Sequence, residues 1–299
     1  MTRLDHPYED LRGGRWLRGN LHTHTTRSDG ARDVQTVIDD YAARGYDFLA
    51  ISDHDIYTSV MDHAEWEARG MLLIPGNEIT RDGPHLLHID ADRYLAPDPD
   101  RQVVLDAVNA GQGFVIVNHP DWQPGFDHCP LERLLAWHGY AGIEIYNGVI
   151  ARLDGSPYGL RKWETLLSEG RRVWGFANDD SHEARDVAQG WNVAYVQGEP
   201  TTASVVAALR AGRFYASTGV TITDIQVEGR QIRIETADAE RIVAHTLWGH
   251  RFAVADSSAL TVDVPSGAPY VRFTCWGRGE RFAWTQPFFQ NSSDGRQYR

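Results

Sequence analysis

The sequence predicts an α/β fold: a closed or nearly closed β/α barrel over residues 1–217, then a small antiparallel β module over 218–299. Three observations carry this expectation. Short apolar runs alternate with helix-length amphipathic stretches in about seven βα units. The apolar runs break off abruptly into His, Asp or Glu, which is how a barrel presents functional residues at the C-terminal ends of its strands. After Val220 the pattern changes to short alternating strands joined by Gly, Ser and Asp turns, as in a small sandwich.

In order, residues 15–24 read as the first strand, and Asp33 caps a helix through Ala43 that Gly45 stops. A buried strand at 46–52 runs into Asp53-His54-Asp55, and a helix follows over 61–69. The strand at 71–74 ends in Pro75-Gly76-Asn77-Glu78, and 85–90 is short and extended. A helix at 99–110 leads to the strand 114–117 and Asn118-His119-Pro120. Helix 131–137, strand 142–146 and helix 158–168 precede a strand at 172–177 that ends in Asn178-Asp179-Asp180-Ser181-His182. Strand 191–196 and helix 202–211 finish the first part. Six strands are expected in the module, at 221–227, 231–235, 241–247, 252–255, 260–264 and 271–276.

Composition narrows the chemistry. A net charge of −12 argues against a nucleic-acid-binding surface, although bound divalent cations would still allow an anionic substrate. Lys162 is the single lysine, and neither a phosphate-binding P-loop nor a Gly-x-Ser-x-Gly elbow is present. Cys129 and Cys275 form no metal motif and read as reduced thiols. No apolar run reaches membrane-spanning length and the first residues lack a signal segment, so a cytoplasmic protein is expected.

The strand-end residues are His22, His24, Asp29, His54, Glu78, His88, His119, Asp180 and His182. His22 and His24 lie two apart on a strand and so project to one face. Imidazoles with carboxylates are the donor mixture divalent ions take, and a carboxylate such as Glu78 can bridge two ions. Each residue also has a plain reading: Asp29 as a turn residue, Asp180 as a cap, Glu78 as a cap of a neighbouring helix. Separate turn and cap roles do not require six histidines on successive strand ends, and a shared metal site does. Either His85 or His88 could be the ligand of its strand, with His88 preferred. His128 beside Cys129 reads as a loop pair, and His6, His63, His138, His245 and His250 are assigned no function.

The motifs HTHTTRSDG, DFLAISDHD, PGNEIT followed by HLLHID, VIVNHP and FANDDSH resemble, in order, those of the PHP (polymerase and histidinol phosphatase) family. The chain looks most similar to its branch of metal-dependent phosphoesterases, the CehA/McbA type. The resemblance spans residues 15–215 and leaves the β module outside it. It implies a distorted (β/α)7 barrel with two or three divalent ions, Mn, Zn or Fe. It also implies that His22, His24, Glu78 and Asp180 hold one ion, that Glu78, His88 and His119 hold a second, and that Asp29, His54 and His182 hold a third. Many relatives carry His where this chain has Asp29, which makes the third site more acidic.

The expected activity is hydrolysis of a small phosphate ester by water held between two ions. Glu78 and Asp180 serve the ions, Arg27 is a candidate phosphate clamp, and Asp55, Asp179 or a metal-bound water is the candidate general acid. Arg152 and Arg185 are further rim cations, and Tyr146 and Asn147 are expected to shape the pocket. Hydrolysis of a carbamate, carboxylic ester or amide by the same ions is the alternative, and a metal-stabilised binding module a third reading. A carboxylated-lysine bridge is disfavoured, because Lys162 falls in the middle of a helix.

Overall fold

The strands expected from the sequence form, but they pair into open sheets. The computed structural model describes residues 4–122, 127–153 and 155–290, and among these the chain is mixed α/β with three sheets and six short α-helices. In the largest sheet, Leu72–Ile74, Phe48–Ala50 and Gly14–Asn20 run parallel, and Trp191–Gln197 joins antiparallel. The order continues through Phe214–Ser217, Phe282–Thr285 and Tyr270–Trp276 to Phe288–Gln290, which pairs with Leu4–Asp5. Arg241–Thr246 and His250–Ala255 branch from Tyr270–Trp276. A five-stranded sheet holds Gly76–Ile79, Leu86–Ile89, Phe114–Val117, Gly142–Asn147 and Trp174–Asn178, and a third sheet holds Ile222–Glu228, Gln231–Thr236 and Ala259–Asp263.

Among the described residues no sheet closes on itself, which corrects the closed form of the expected closed or nearly closed barrel. One connection also departs from the parallel βα pattern. Only residues 80–85 separate Gly76–Ile79 from Leu86–Ile89, too few for the dozen or so a parallel crossover needs, so that pair is an antiparallel hairpin. The two larger sheets meet at their polar ends through single bridges, Thr23 to Ser181 and His54 to Glu78. The His24 N–H donates to the Ser181 carbonyl at 2.9 Å, and the Asp55 N–H to the Glu78 carbonyl at 2.7 Å. These seams place the ends of several strands side by side.

Asp33 caps Val34–Ala42 by accepting the Thr36 N–H, and Val37, Ile38 and Tyr41 pack with Leu49 and Ile51. The helix expected over 61–69 is only Val60–His63: its Ser59/Asp62 capping box starts it, but Val60 and Met61 lie exposed and no apolar face extends it. Leu87, Ile89, Ile116, Phe176, Ala194 and Phe214 form a core beneath the polar seam. The boundary expected at 217/218 is spanned by the pairing of Phe214–Ser217 with Phe282–Thr285, and Trp284 is buried in the same cluster as Tyr146 and Trp163. Arg272 makes a buried ion pair with Glu164, which also accepts the Tyr270 hydroxyl.

Candidate metal centre

Five groups of three or four imidazole and carboxylate side chains have their ligand atoms within 4.8 Å of one another among the described residues. They overlap, and Glu78 stands at their middle. Its carboxylate lies 3.2 Å from His22 Nε2, 3.6 Å from His24 Nε2, 2.7 Å from His54 Nδ1, 3.1 Å from His85 Nδ1 and 3.6 Å from His119 Nε2. Asp180 Oδ1 lies 3.2 Å from His22 Nε2 and 3.0 Å from His24 Nε2. Asp29 faces His54 Nε2 at 3.5 Å and His182 Nε2 at 3.4 Å. The cluster runs from buried to open: the side chains of His22 and Glu78 are 0% exposed, that of Asp29 56%.

Local geometry aims these groups. Asp180 and His119 both take positive φ, 54° and 25°, a strained backbone that persists only when surroundings hold it. The hold is Glu144, a fully buried carboxylate inside an apolar strand. It accepts His22 Nδ1–H at 2.8 Å, the His119 N–H at 2.8 Å, Asn147 Nδ2 at 2.8 Å and Asn178 Nδ2 at 2.9 Å. Asn147 also donates to Asp180 at 3.2 Å. With His22 Nδ1–H engaged, Nε2 is the nitrogen turned to the cluster. His182 follows the same logic, its Nδ1 donating to the Asp180 carbonyl at 2.8 Å. Asp53 orders the Asp29 turn by accepting the Thr25 N–H and hydroxyl and the Ser28 hydroxyl. Asn118 donates to Glu78.

The electrostatics match a cation site. Burial raises the Glu78 carboxyl, but the charges of His22 and His85 outweigh it and hold the group well below its ordinary range. Burial likewise opposes charge on His54, yet contacts with Asp29 and Glu78 raise it to about 10. The His182 and His54 rings hold the Asp29 carboxyl well down. In the ion-free chain, protons on imidazoles do what a divalent ion would do, offsetting carboxylates. Several inward atoms have no hydrogen-bond partner despite burial: His22 Nε2, His24 Nε2, His54 Nδ1 and Glu78 Oε2. Orphaned donor atoms of this kind, converging from four residues, fit metal coordination.

Eight of the nine residues expected as ligands converge here. His88 does not. Its Nε2 faces the Gln112 carbonyl at 3.2 Å, outside the cluster, and His85 takes the place expected for it. Strand alternation explains the exchange: Glu78 pairs with Leu87, so residues 85, 87 and 89 share its face while 86 and 88 point away. His128, expected as a loop neighbour of Cys129, stands with its ring centroid 4.5 Å from those of His85 and His119, and its Nε2 accepts the His85 N–H at 3.0 Å. Arg27 is turned to the Thr58 hydroxyl at 2.9 Å and to the Trp66 ring, and Asp55 accepts from Thr80 and Arg81, so neither joins the ligand groups. Arg152 is held by Asp186, and Arg185 by Glu183. Glu144 escaped the sequence reading; its one signal was a lone acid between isoleucines in an apolar strand.

A two-domain protein of Bacteroides vulgatus, described as containing a predicted PHP-like metal-dependent phosphoesterase, superposes on 98% of this chain and 92% of its own with a TM-score of 0.58 at 17% identity. The chain has a PHP-like fold. The likeness includes the β module, which the sequence motifs did not reach. PsfC of Pseudomonas syringae is similar over 65% of this chain and 89% of its own, at 15% identity and a TM-score of 0.49. A Bifidobacterium adolescentis protein proposed to be a metal-dependent phosphoesterase is similar over 55% and 87%, at 18% identity and a TM-score of 0.42. No family model and no curated protein matches the chain. At these identities a PHP-like fold is an architecture, and function rests on the site.

Proposed function

We propose that the chain is a metal-dependent hydrolase acting on a small phosphate ester, with its ions at the seam between the two larger sheets. The observation that carries this reading is the convergence of His22, His24, Glu78 and Asp180, all buried and the first three with inward atoms unpartnered, on one space that opens toward Asp29. His22, His24, Glu78 and Asp180 would hold one ion, Glu78, His85 and His119 a second, and Asp29, His54 and His182 a third. Bound divalent ions would supply a Lewis acid for the ester and lower the pKa of a coordinated water.

The chain's own residues supply the rest. Glu78 and Asp180 provide the buried negative charge that makes the space selective for cations. Glu144 orients His22 and fixes the backbone of His119, while Asp53 orders the turn that presents Asp29. Burial of His22, His24 and Glu78 keeps bulk water from one side, so substrate and attacking water enter past the exposed Asp29. The phosphate preference draws on the PHP-like neighbour described as a phosphoesterase. Because Arg27 is engaged by Thr58 and Trp66, an uncharged carbamate or carboxylic ester is the second reading.

The test is a substrate screen with Mn, Zn and Fe(II) loaded separately, setting phosphate mono- and diesters beside aryl carbamates and counting metal per chain. Two or more ions with phosphoesterase turnover supports the proposal. Carbamate turnover alone would move the assignment to the second reading, and a protein that takes up no metal would end both.

A further inference from the structure

The chain contains 29 cationic Lys and Arg residues, of which one is lysine and 28 are arginine. That lysine, Lys162, is completely buried near the start of the helix Leu160–Ser168. Its ammonium group donates to the Pro120 carbonyl at 2.6 Å, to the Cys129 carbonyl at 2.9 Å and to the Asp127 carboxylate, and Asp121 Oδ1 lies 3.0 Å away. These acceptors sit at the two ends of one segment. Pro120 follows His119 directly, and Cys129 follows His128 directly. The Cys129 N–H also donates to the Pro120 carbonyl at 3.3 Å, so the two ends are drawn to one point.

Two carbonyls and two carboxylates gather around a single nitrogen. An ammonium with three rotatable donors can serve such a site, and a planar guanidinium fork cannot, which accounts for a lysine in a chain otherwise built with arginine. From Cys129 the connection runs one residue to His128, whose Nε2 accepts the His85 N–H at 3.0 Å. From Pro120 it runs one residue to His119, whose positive-φ backbone Glu144 holds at the N–H and Lys162 holds on the C-terminal side, through the Pro120 carbonyl. Lys162 therefore restrains both imidazoles on the His85 and His119 side of the cluster while touching neither.

We propose that Lys162 is a positioning residue for the ion held by Glu78, His85 and His119, acting through the ends of the segment 119–129. This rests on the metal-centre reading above. Its loss would loosen that ion and leave the one on His22, His24, Glu78 and Asp180 in place.

The test compares chelator-driven release of cobalt(II) from the full chain carrying Lys162→Met, Asp127→Asn or no change, followed by the visible absorption of the bound ion. Asp127→Asn weakens the ammonium's anchorage at a partly exposed carboxylate, and so covers the case in which Lys162→Met does not fold. Val262→Ala, in the three-stranded sheet, controls for general loss of stability. One ion per chain should leave about 10-fold faster or more in either variant, with the remaining release unchanged. Equal release in wild type and in the folded variants overturns the proposal, as does the same acceleration in a Val262→Ala protein of matched melting temperature. A wild type that binds no cobalt brings down the metal reading and this one with it, whereas a cobalt-binding wild type with unchanged variants brings down this one alone.

Discussion

Replacing Glu144 by Gln tests whether the cluster is aimed from behind. The substitution keeps shape and removes charge. One carboxylate oxygen accepts His22 Nδ1–H and Asn178 Nδ2, the other the His119 N–H and Asn147 Nδ2. Whichever oxygen becomes an amide nitrogen, two buried donors lose their acceptor. At about 1–3 kcal/mol for each unsatisfied buried group, the metal-free chain should lose about 2–6 kcal/mol. His22 also loses the partner that keeps Nε2 inward, and changes of this kind cost about 10–100-fold in metal affinity. Urea unfolding of the metal-free protein reads the first effect, and competition with a chelator of known affinity reads the second. If Glu144→Gln unfolds within about 0.5 kcal/mol of wild type and holds its ions equally well, Glu144 does not act through these bonds.

Three further outcomes are expected. Asp29→Asn should remove about one ion per chain by elemental analysis and leave the ions on Glu78 in place, because Asp29 lies at the open end of the cluster, facing His54 and His182; unchanged stoichiometry would count against a third ion. His245 is buried, and burial together with Arg272 lowers its pKa from 6.5 to about 3. The unfolded chain therefore binds this proton near pH 6.5 while the folded chain resists it, so His245 costs stability progressively as pH falls from 6.5 toward 3, on the order of 5 kcal/mol in all. A His245→Gln protein should show a shallower acid loss over that window in urea melts, and parallel curves would refute the assignment. A chain ending at Ser217 should fail to fold, since it exposes the Phe214–Ser217 edge and removes Trp284 from the core; a cooperative, monomeric melt would show the first part to be independent.

Much of this was legible in the sequence because two periodicities dominate it. Phe114–Val117 lies where its apolar run predicts, and Val34–Ala42 lies between its Asp33 cap and Gly45. Histidines and acids at strand ends were visible as breaks in apolar runs. What escaped depends on pairing, which local pattern does not encode. Gly76–Ile79 reads only as the polar end of the strand before it, because Gly and Asn are poor strand formers, yet its partner Leu86–Ile89 makes it a strand of its own. That register is also what decides between His85 and His88. Glu144 is silent for a related reason: a buried acid is stable only among donors brought from residues 22, 119, 147 and 178, and no local window contains them. The helix over 61–69 failed because periodicity without a surface to cover does not sustain a helix.

The pairing of Leu4–Asp5 with Phe288–Gln290 bears on how the molecule is made as well as how it stands. The strand Leu4–Asp5 has no neighbour until some 285 residues later have emerged, and Gly14–Asn20, though flanked early by Phe48–Ala50, waits for Trp191–Gln197 on its other edge. Contacts so distant in sequence are slow to form, and the open edge of the growing sheet stays available to other chains meanwhile. His22 and His24, just after Gly14–Asn20, should therefore stay apart from Asp180 and His182 until late in folding. Completion of the proposed metal site would then be a late event, and a nascent chain released short of Phe288–Gln290 would present an unpaired sheet edge at Leu4–Asp5.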